Sequence, residues 1–221
     1  MNKLTMAACA ALLLTAVSAQ GAGAGTIPYP DAGTVNPIDY TFKAASTGDV
    51  NAYFFSSDAG DLDLIGILDT TQGTSISFGL PNHMSNVGDA YGPLAVNVGD
   101  TLVFEMENTA LGNTGGESNI VYSDASLNGP FDFSTPGAGT NHVYSTSYSS
   151  DGSVFPVGTL TYVAFEDLPR PVSDLDYNDS SFLVSNVTTG VPEPASWAVM
   201  LLGFGAVGAM ARSRRRVAAT A

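Results

Sequence analysis

Residues 101–107 read Thr-Leu-Val-Phe-Glu-Met-Glu and show the clearest strand pattern in the chain. Leu102, Phe104 and Met106 fall on one side of an extended chain, because successive side chains of a strand point to opposite faces. Val103 and Glu105 fall on the other side. The segment is therefore predicted to be a strand with one apolar face towards a core.

Six further segments show extended character and are bounded by Gly, Asn, Asp and Pro residues. They are residues 51–56, 63–68, 74–78, 141–148, 158–166 and 180–187. No stretch between residues 33 and 190 shows a 3.6-residue apolar period. Short strands separated by polar turns predict an all-β fold, an antiparallel β-sandwich or jelly roll over residues 34–187.

The N-terminus has the pattern of a secretory signal peptide over residues 1–19. Lys3 comes early, an apolar run follows, and small residues favour cleavage between Ala19 and Gln20. The single cysteine, Cys9, lies in this segment, so the mature chain has no thiol and no cysteine-based site. Residues 20–33, which are rich in Gly, Ala and Pro, are predicted to be a flexible lead-in.

The body of the chain, residues 20–190, is strongly acidic. It holds 20 acidic residues against only Lys43 and Arg170, a net charge of −18. Nucleic-acid binding depends on Lys and Arg contacts to phosphate, so this composition predicts no nucleic-acid partner. The excess charge fits either solubility or the binding of cations.

The C-terminus combines a short motif, an apolar segment and a basic cluster. The motif is Val191-Pro192-Glu193-Pro194, in which each proline favours extended backbone before it. Residues 195–211 carry no charge and as a helix would reach about 26 Å, near the short limit for crossing a bilayer. The basic cluster after the helix consists of Arg212, Arg214, Arg215 and Arg216.

A basic cluster stays on the cytoplasmic side of a membrane. Residues 188–194 are therefore predicted to be a linker with the motif, residues 195–211 a single C-terminal transmembrane helix, and residues 212–221 a cytoplasmic tail.

This order of parts resembles the PEP-CTERM sorting signal of Gram-negative exported proteins. The resemblance implies recognition by an exosortase, a membrane protease-transpeptidase, in bacteria that usually make exopolysaccharide. It predicts export across the inner membrane, anchoring by the C-terminal helix, and a cell-surface or extracellular location after processing. The alternative is an ordinary tail anchor that happens to contain the tetrapeptide.

One acidic block between two predicted strands contains five carboxylates and one amide. Its residues are Glu166, Asp167, Asp174, Asp176, Asn178 and Asp179. Such a concentration of charge favours a cation, and the alternating offsets of Asp174, Asp176 and Asn178 are typical of calcium loops. An EF-hand is excluded, because its sixth position would be Asp179 and its twelfth Ser185. The alternative is that individual members only form turns.

The block also resembles the end of a poorly characterised β-rich domain of bacterial surface proteins. That domain ends in Phe-Glu-Asp-Leu, a gap, and Asp-x-Asp-Tyr-Asn-Asp, here residues 165–168 and 174–179. The resemblance implies a calcium site whose ligands are Glu166, Asp167, Asp174, Asp176 and Asp179, with Asn178 as a carbonyl ligand. A second acidic group, Asp58, Asp61 and Asp63, is a weaker signal, because an exposed strand edge would show the same pattern.

These observations favour a structural or interaction protein with a calcium-stabilised β-sandwich, acting at the surface or in an exopolysaccharide matrix. The alternative is a calcium-dependent, lectin-like module for extracellular polysaccharide, for which exposed aromatic residues beside the block would be the discriminating feature; Tyr144, Tyr148 and Tyr177 are the candidates. A polysaccharide hydrolase comes third. No catalytic residue is predicted, since no Gly-x-Ser-x-Gly or other catalytic motif occurs.

Overall fold

The computed structural model describes residues 27–111, 119–133, 139–170 and 172–190, and these residues form an all-β fold. Their strands are β1 (Thr41–Ala44), β2 (Gly48–Ser56), β3 (Asp63–Asp69), β4 (Thr74–Gly79), β5 (Ala90–Val96), β6 (Thr101–Asn108), β7 (Ile120–Tyr122), β8 (Val143–Ser150), β9 (Gly158–Phe165), β10 (Ser180–Val184) and β11 (Val187–Gly190). One 3₁₀ turn, Ala125–Leu127, is the only helical element in this part of the chain.

The strands form two antiparallel sheets. The first sheet has the order β11-β1-β6-β3-β4, and β7 also pairs with β6. The second sheet has the order β5-β2-β10-β9-β8. The predicted all-β, antiparallel architecture is therefore confirmed, with residues 101–107 inside the central strand β6.

The core lies between the two sheets, and β6 supplies its middle. Leu102, Phe104 and Met106 are each at most 1% exposed, as their alternation predicts. The ring of Phe104 lies 4.9 Å from that of Phe42 in its own sheet and 5.7 Å from that of Phe182 in the other sheet. These edge-to-face contacts join the sheets through one aromatic side chain.

A second apolar cluster covers the outer face of the second sheet around Phe55, Tyr162 and Leu183. The segment before β1 packs against this face, where Tyr29 is 7% exposed and its ring lies 4.7 Å from that of Tyr177. Residues 27–33, which were expected to be flexible lead-in, therefore include packed positions.

The predicted strand 180–187 is divided into two strands that belong to different sheets. Asn186 has a φ of 59°, in the left-handed region that asparagine tolerates, and the chain turns there from β10 in the second sheet to β11 in the first. The side chain of Asn186 fixes this turn by accepting N–H from Ser46 at 2.9 Å. Residues 188–190, which were expected to be linker, belong to β11.

The predictions for both ends of the chain lie outside the described residues. This applies to the signal peptide, the Val-Pro-Glu-Pro motif, the apolar segment 195–211 and the basic tail. Among the described residues, there is no helix with the length and apolarity that a membrane span requires.

Candidate metal centre

Two loops meet at one end of the sandwich. Residues 57–62 join β2 to β3, and residues 166–179 join β9 to β10. Backbone hydrogen bonds hold the loops together: Asp58 N–H donates to the carbonyl of Asn178 at 3.1 Å, and Ala59 N–H to that of Asp179 at 3.3 Å. The sequence-distant acidic groups of the two loops are therefore neighbours.

The carboxylate of Glu166 organises the longer loop. Glu166 is 0% exposed and directly follows β9. Its oxygens accept the backbone N–H of Leu175 at 3.1 Å, the backbone N–H of Tyr177, and the hydroxyl of Ser173. The loop therefore curls around one buried carboxyl group, with N–H groups converging on it.

Two non-glycine residues of this loop have left-handed backbone. Leu175 has a φ of 59° and Tyr177 a φ of 55°. Such conformations are uncommon outside glycine, and their concentration in one short loop is typical of functional sites. The aromatic side chain of Tyr177 anchors the loop, because its hydroxyl accepts N–H from Asn36 at 2.8 Å and donates to the carbonyl of Asn141 at 3.1 Å.

Glu166, Asp174 and Asp176 each offer a carboxylate oxygen, and these three oxygens all lie within 4.8 Å of one another. Asp176 Oδ2 accepts the side-chain amide of Asn178 at 2.6 Å, whereas the buried Oδ1 has no hydrogen-bond partner. Burial, followed by the charges of Asp174 and Glu166, raises the pKa of Asp176 to about 6. Three hard oxygen donors with an unpartnered buried oxygen fit the chemistry of calcium.

A second acidic set lies beside the first and contains Asp61, Asp63, Asp167 and Asp179. Asp167 N–H donates to Asp179 Oδ2 at 2.8 Å, so the two ends of the β9–β10 loop are closed on each other. Burial raises the pKa of both carboxyls, and the charge of Asp167 raises the pKa of Asp179 further. The hydrogen bond with Asp179 acts against the rise in the pKa of Asp167. Asp63, a member of the weaker acidic group whose pattern an exposed strand edge would also show, is 0% exposed. Burial raises its pKa to about 8, and the charges of Asp167 and Asp61 add to the effect.

Two buried asparagines connect this second set, and sequence reasoning missed both. The amide of Asn108 donates to Asp61 Oδ2 and to the carbonyl of Asp167, each at 3.0 Å. The amide of Asn82 donates to the carbonyl of Asp61 at 2.9 Å and to Asp63 Oδ2 at 3.3 Å. No local pattern distinguishes these asparagines from turn-forming ones, because their partners lie up to 59 residues away.

The six predicted ligands are thus divided between two neighbouring sets. Glu166, Asp174 and Asp176 come together, and Asn178 bonds Asp176 through its amide nitrogen. Asp167 and Asp179 pair with each other and stand with the residues of the β2–β3 loop. A depression of about 310 Å³ is lined by members of both sets.

Asp132 anchors the acidic loop from outside. Its Oδ1 accepts N–H from Arg170 at 3.1 Å and lies 2.9 Å from Nε2 of His142, and its Oδ2 accepts N–H from Thr140 at 2.6 Å. Burial acts against ionisation, but the hydrogen bonds from His142, Thr140 and Arg170 lower the pKa of Asp132. The side chains of His142 and Asp132 are 0% and 4% exposed, so this pair lies inside the fold.

None of the three tyrosines named as sugar-stacking candidates is an exposed platform. Tyr177 is 0% exposed. Tyr144 and Tyr148 are half-buried, with edge contacts to Tyr162 at 6.2 Å and to Phe55 at 5.5 Å. Core packing therefore accounts for all three.

Comparison with known families identifies the PEP-CTERM protein-sorting motif at residues 190–216. The match begins at the last residue of β11 and includes the tetrapeptide, so the predicted resemblance to PEP-CTERM proteins is confirmed. Among curated proteins and among solved structures, nothing was found that matches the chain.

Proposed function

We propose that this PEP-CTERM protein, an exported substrate of exosortase-dependent sorting, presents a calcium-stabilised β-sandwich at the cell surface or in the extracellular matrix. The sorting motif at residues 190–216 implies export, membrane-associated processing and surface localisation. The sandwich then serves a structural or interaction role, linked to exopolysaccharide. Before processing, the C-terminal helix would hold the chain in the membrane.

The observation that carries the calcium assignment is the convergence of Glu166, Asp174 and Asp176 within 4.8 Å. Three carboxylates at this distance repel one another strongly unless a cation lies between them. The N–H groups that Glu166 accepts hold its carboxylate in place before an ion arrives, so the loop does not have to be ordered by the ion alone. Calcium favours carboxylate and carbonyl oxygens in irregular geometry, which a β-loop of this kind provides.

The test is thermal unfolding of the full chain in mild detergent, with calcium and with a chelator. An ion that binds only the folded state stabilises it by about 2.7 kcal/mol at a hundredfold excess over Kd. For a domain of this size, that corresponds to a rise in Tm of about 5–11 °C. Asp174→Asn and Asp176→Asn should each reduce the rise strongly.

Asp49→Asn is the matched control. It removes the same charge from the exposed start of β2, about 23 Å along the strand from the loop at its other end. The control should keep the full calcium shift. A wild-type chain whose Tm is the same in calcium and in chelator would refute the calcium assignment, while the sorting function would remain.

The sorting function has its own test. Deletion of residues 191–221 should abolish processing, which is followed as a change in mass between the membrane and extracellular fractions. Unchanged processing of the deleted chain would refute the role of the motif.

A lectin-like role would use the same calcium site. The tyrosine of the acidic loop does not support it, because Tyr177 is buried and cannot stack on a sugar.

A further inference from the structure

One oxygen of the buried Asp63 carboxylate has no partner among the described residues. Oδ2 accepts the amide of Asn82 at 3.3 Å, whereas Oδ1 has no hydrogen bond. The residue is 0% exposed at the start of β3, an inner strand. Buried polar atoms are almost always satisfied, so an orphaned carboxylate oxygen requires a specific explanation.

The charged groups that act on Asp63 are also hydrogen-bond acceptors. The charges that act on Asp63 are those of Asp167 and Asp61. Asp61 Oδ2 and the carbonyl oxygen of Asp167 lie 3.0 Å from the same nitrogen, the amide of Asn108. Asn108 is also the ladder partner of Asp63 in the pairing of β3 with β6. The neutral amide of Asn108 therefore bonds the carboxylate of Asp61 and the main-chain carbonyl of Asp167, and it cannot balance the charge of a carboxylate.

We propose that Asp61, Asp63 and Asp167 hold a second divalent cation, separate from the ion at Glu166, Asp174 and Asp176. Carboxylate oxygens and the carbonyl of Asp167 are the hard ligands that calcium prefers. Among the described residues, Asp61, Asp63 and Asp167 do not form a group whose ligand oxygens all lie within 4.8 Å of one another. Binding draws them together around Asp63 Oδ1.

The second ion has a different structural consequence from the first. The first ion lies within the β9–β10 loop, whereas the second joins the β2–β3 loop and the start of β3 to the end of β9. These elements belong to different sheets, so the second ion closes the end of the sandwich. The inference goes beyond the proposed function and does not rest on it, because the two ions use different side chains.

The experiment counts calcium ions per chain. The full chain in mild detergent is stripped with a chelator and titrated with Ca²⁺ by calorimetry, and native mass spectrometry gives the stoichiometry. The wild type should bind two ions. Asp63→Asn and Asp176→Asn should each bind one, and the control Asp49→Asn should bind two.

Each outcome decides between the sites. If Asp63→Asn binds as many ions as the wild type, the second site is refuted and Asp63 holds a proton instead. If Asp176→Asn keeps the wild-type count while Asp63→Asn loses one ion, the proposed first site fails and the second stands. Should circular dichroism show that Asp63→Asn does not fold, Asp61→Asn replaces it: loss of one ion supports the second site and an unchanged count overturns it.

Discussion

Replacing Asp63 by asparagine should stabilise the protein when no cation is present. The buried Oδ1 of Asp63 has no partner, so the new amide group displaces no hydrogen bond there, and the amide oxygen can still accept from Asn82. An ionised Asp63, in contrast, lies among the charges of Asp61 and Asp167. The substitution removes this repulsion and the cost of burying a charge.

The size of the effect follows from the pKa of Asp63, which burial raises from 3.8 to about 8. An acid whose pKa is raised on folding binds more protons in the folded state, so stability falls as pH rises between the two values. Each pH unit in that window is worth about 1.4 kcal/mol. Between about pH 5 and about pH 7.5 the wild type should therefore lose on the order of 3 kcal/mol through Asp63 alone.

The assay is urea unfolding in a chelator at these two pH values, followed by tyrosine fluorescence and circular dichroism. Asp63→Asn should be more stable than the wild type at the higher pH, and its advantage should shrink by about 3 kcal/mol at the lower pH. Asp49→Asn, which removes an exposed charge, should follow the wild type at both. Calcium should reverse the order, because only the wild type retains the cation ligand.

A uniform loss of stability in Asp63→Asn at both pH values would refute the reasoning. It would mean that the carboxylate has a favourable partner that the amide cannot replace. The difference between the variant and the wild type isolates Asp63 from Asp167, Asp176 and Asp179, whose raised pKa values add to the pH dependence of both proteins.

Three further changes test other parts of the structure. Asp132→Ala should lower the free energy of unfolding in urea by about 3 kcal/mol, because it leaves the buried His142 nitrogen without its acceptor. Asp132→Asn should lower it less, and equal losses in the two variants would contradict this explanation. Phe104→Ala should cost about 3–5 kcal/mol in the same assay, because the ring contacts both sheets, and a loss below 1 kcal/mol would contradict that role. Calcium affinity, measured by calorimetry, should fall as pH is lowered through about 6, where Asp176 gains a proton, and an affinity independent of pH would contradict its role as a ligand.

The sequence was sufficient to predict the strands that carry a long alternating pattern. It was not sufficient to predict the strands that form only by pairing with a neighbouring strand. β6 shows its inner face directly in Leu102, Phe104 and Met106. β1 and β7 have only four and three residues, too few for alternation to be visible, and both form because β6 presents an edge to them. β5 contains Pro93, which cannot donate a ladder hydrogen bond and is compatible with a strand only at the sheet edge where β5 lies.

The change of sheet at Asn186 was also beyond a local pattern. Residues 180–187 are extended throughout, so alternation predicts one strand. The turn depends on the left-handed backbone of Asn186 and on its contacts with Ser46, 140 residues away in sequence. Only the paired structure reveals that the last four residues of the domain, Val187–Gly190, add to the other sheet and lead directly into the sorting motif.

The candidate site divides in the same way, and the division explains why Asp63 is only a weak signal in the sequence. Asp174 and Asp176 are close in sequence, and their spacing alone suggests a common ion. Asp63 and Asp167 are 104 positions apart and become neighbours because β3 begins, and β9 ends, at the same end of the sandwich. A pattern such as Asp61-Leu62-Asp63 normally marks an exposed strand edge, since burying a carboxylate is costly. The antiparallel pairing of β3 with β6 and β4 places Asp63 inside, where that cost is highest, and a bound cation is the partner that would offset it.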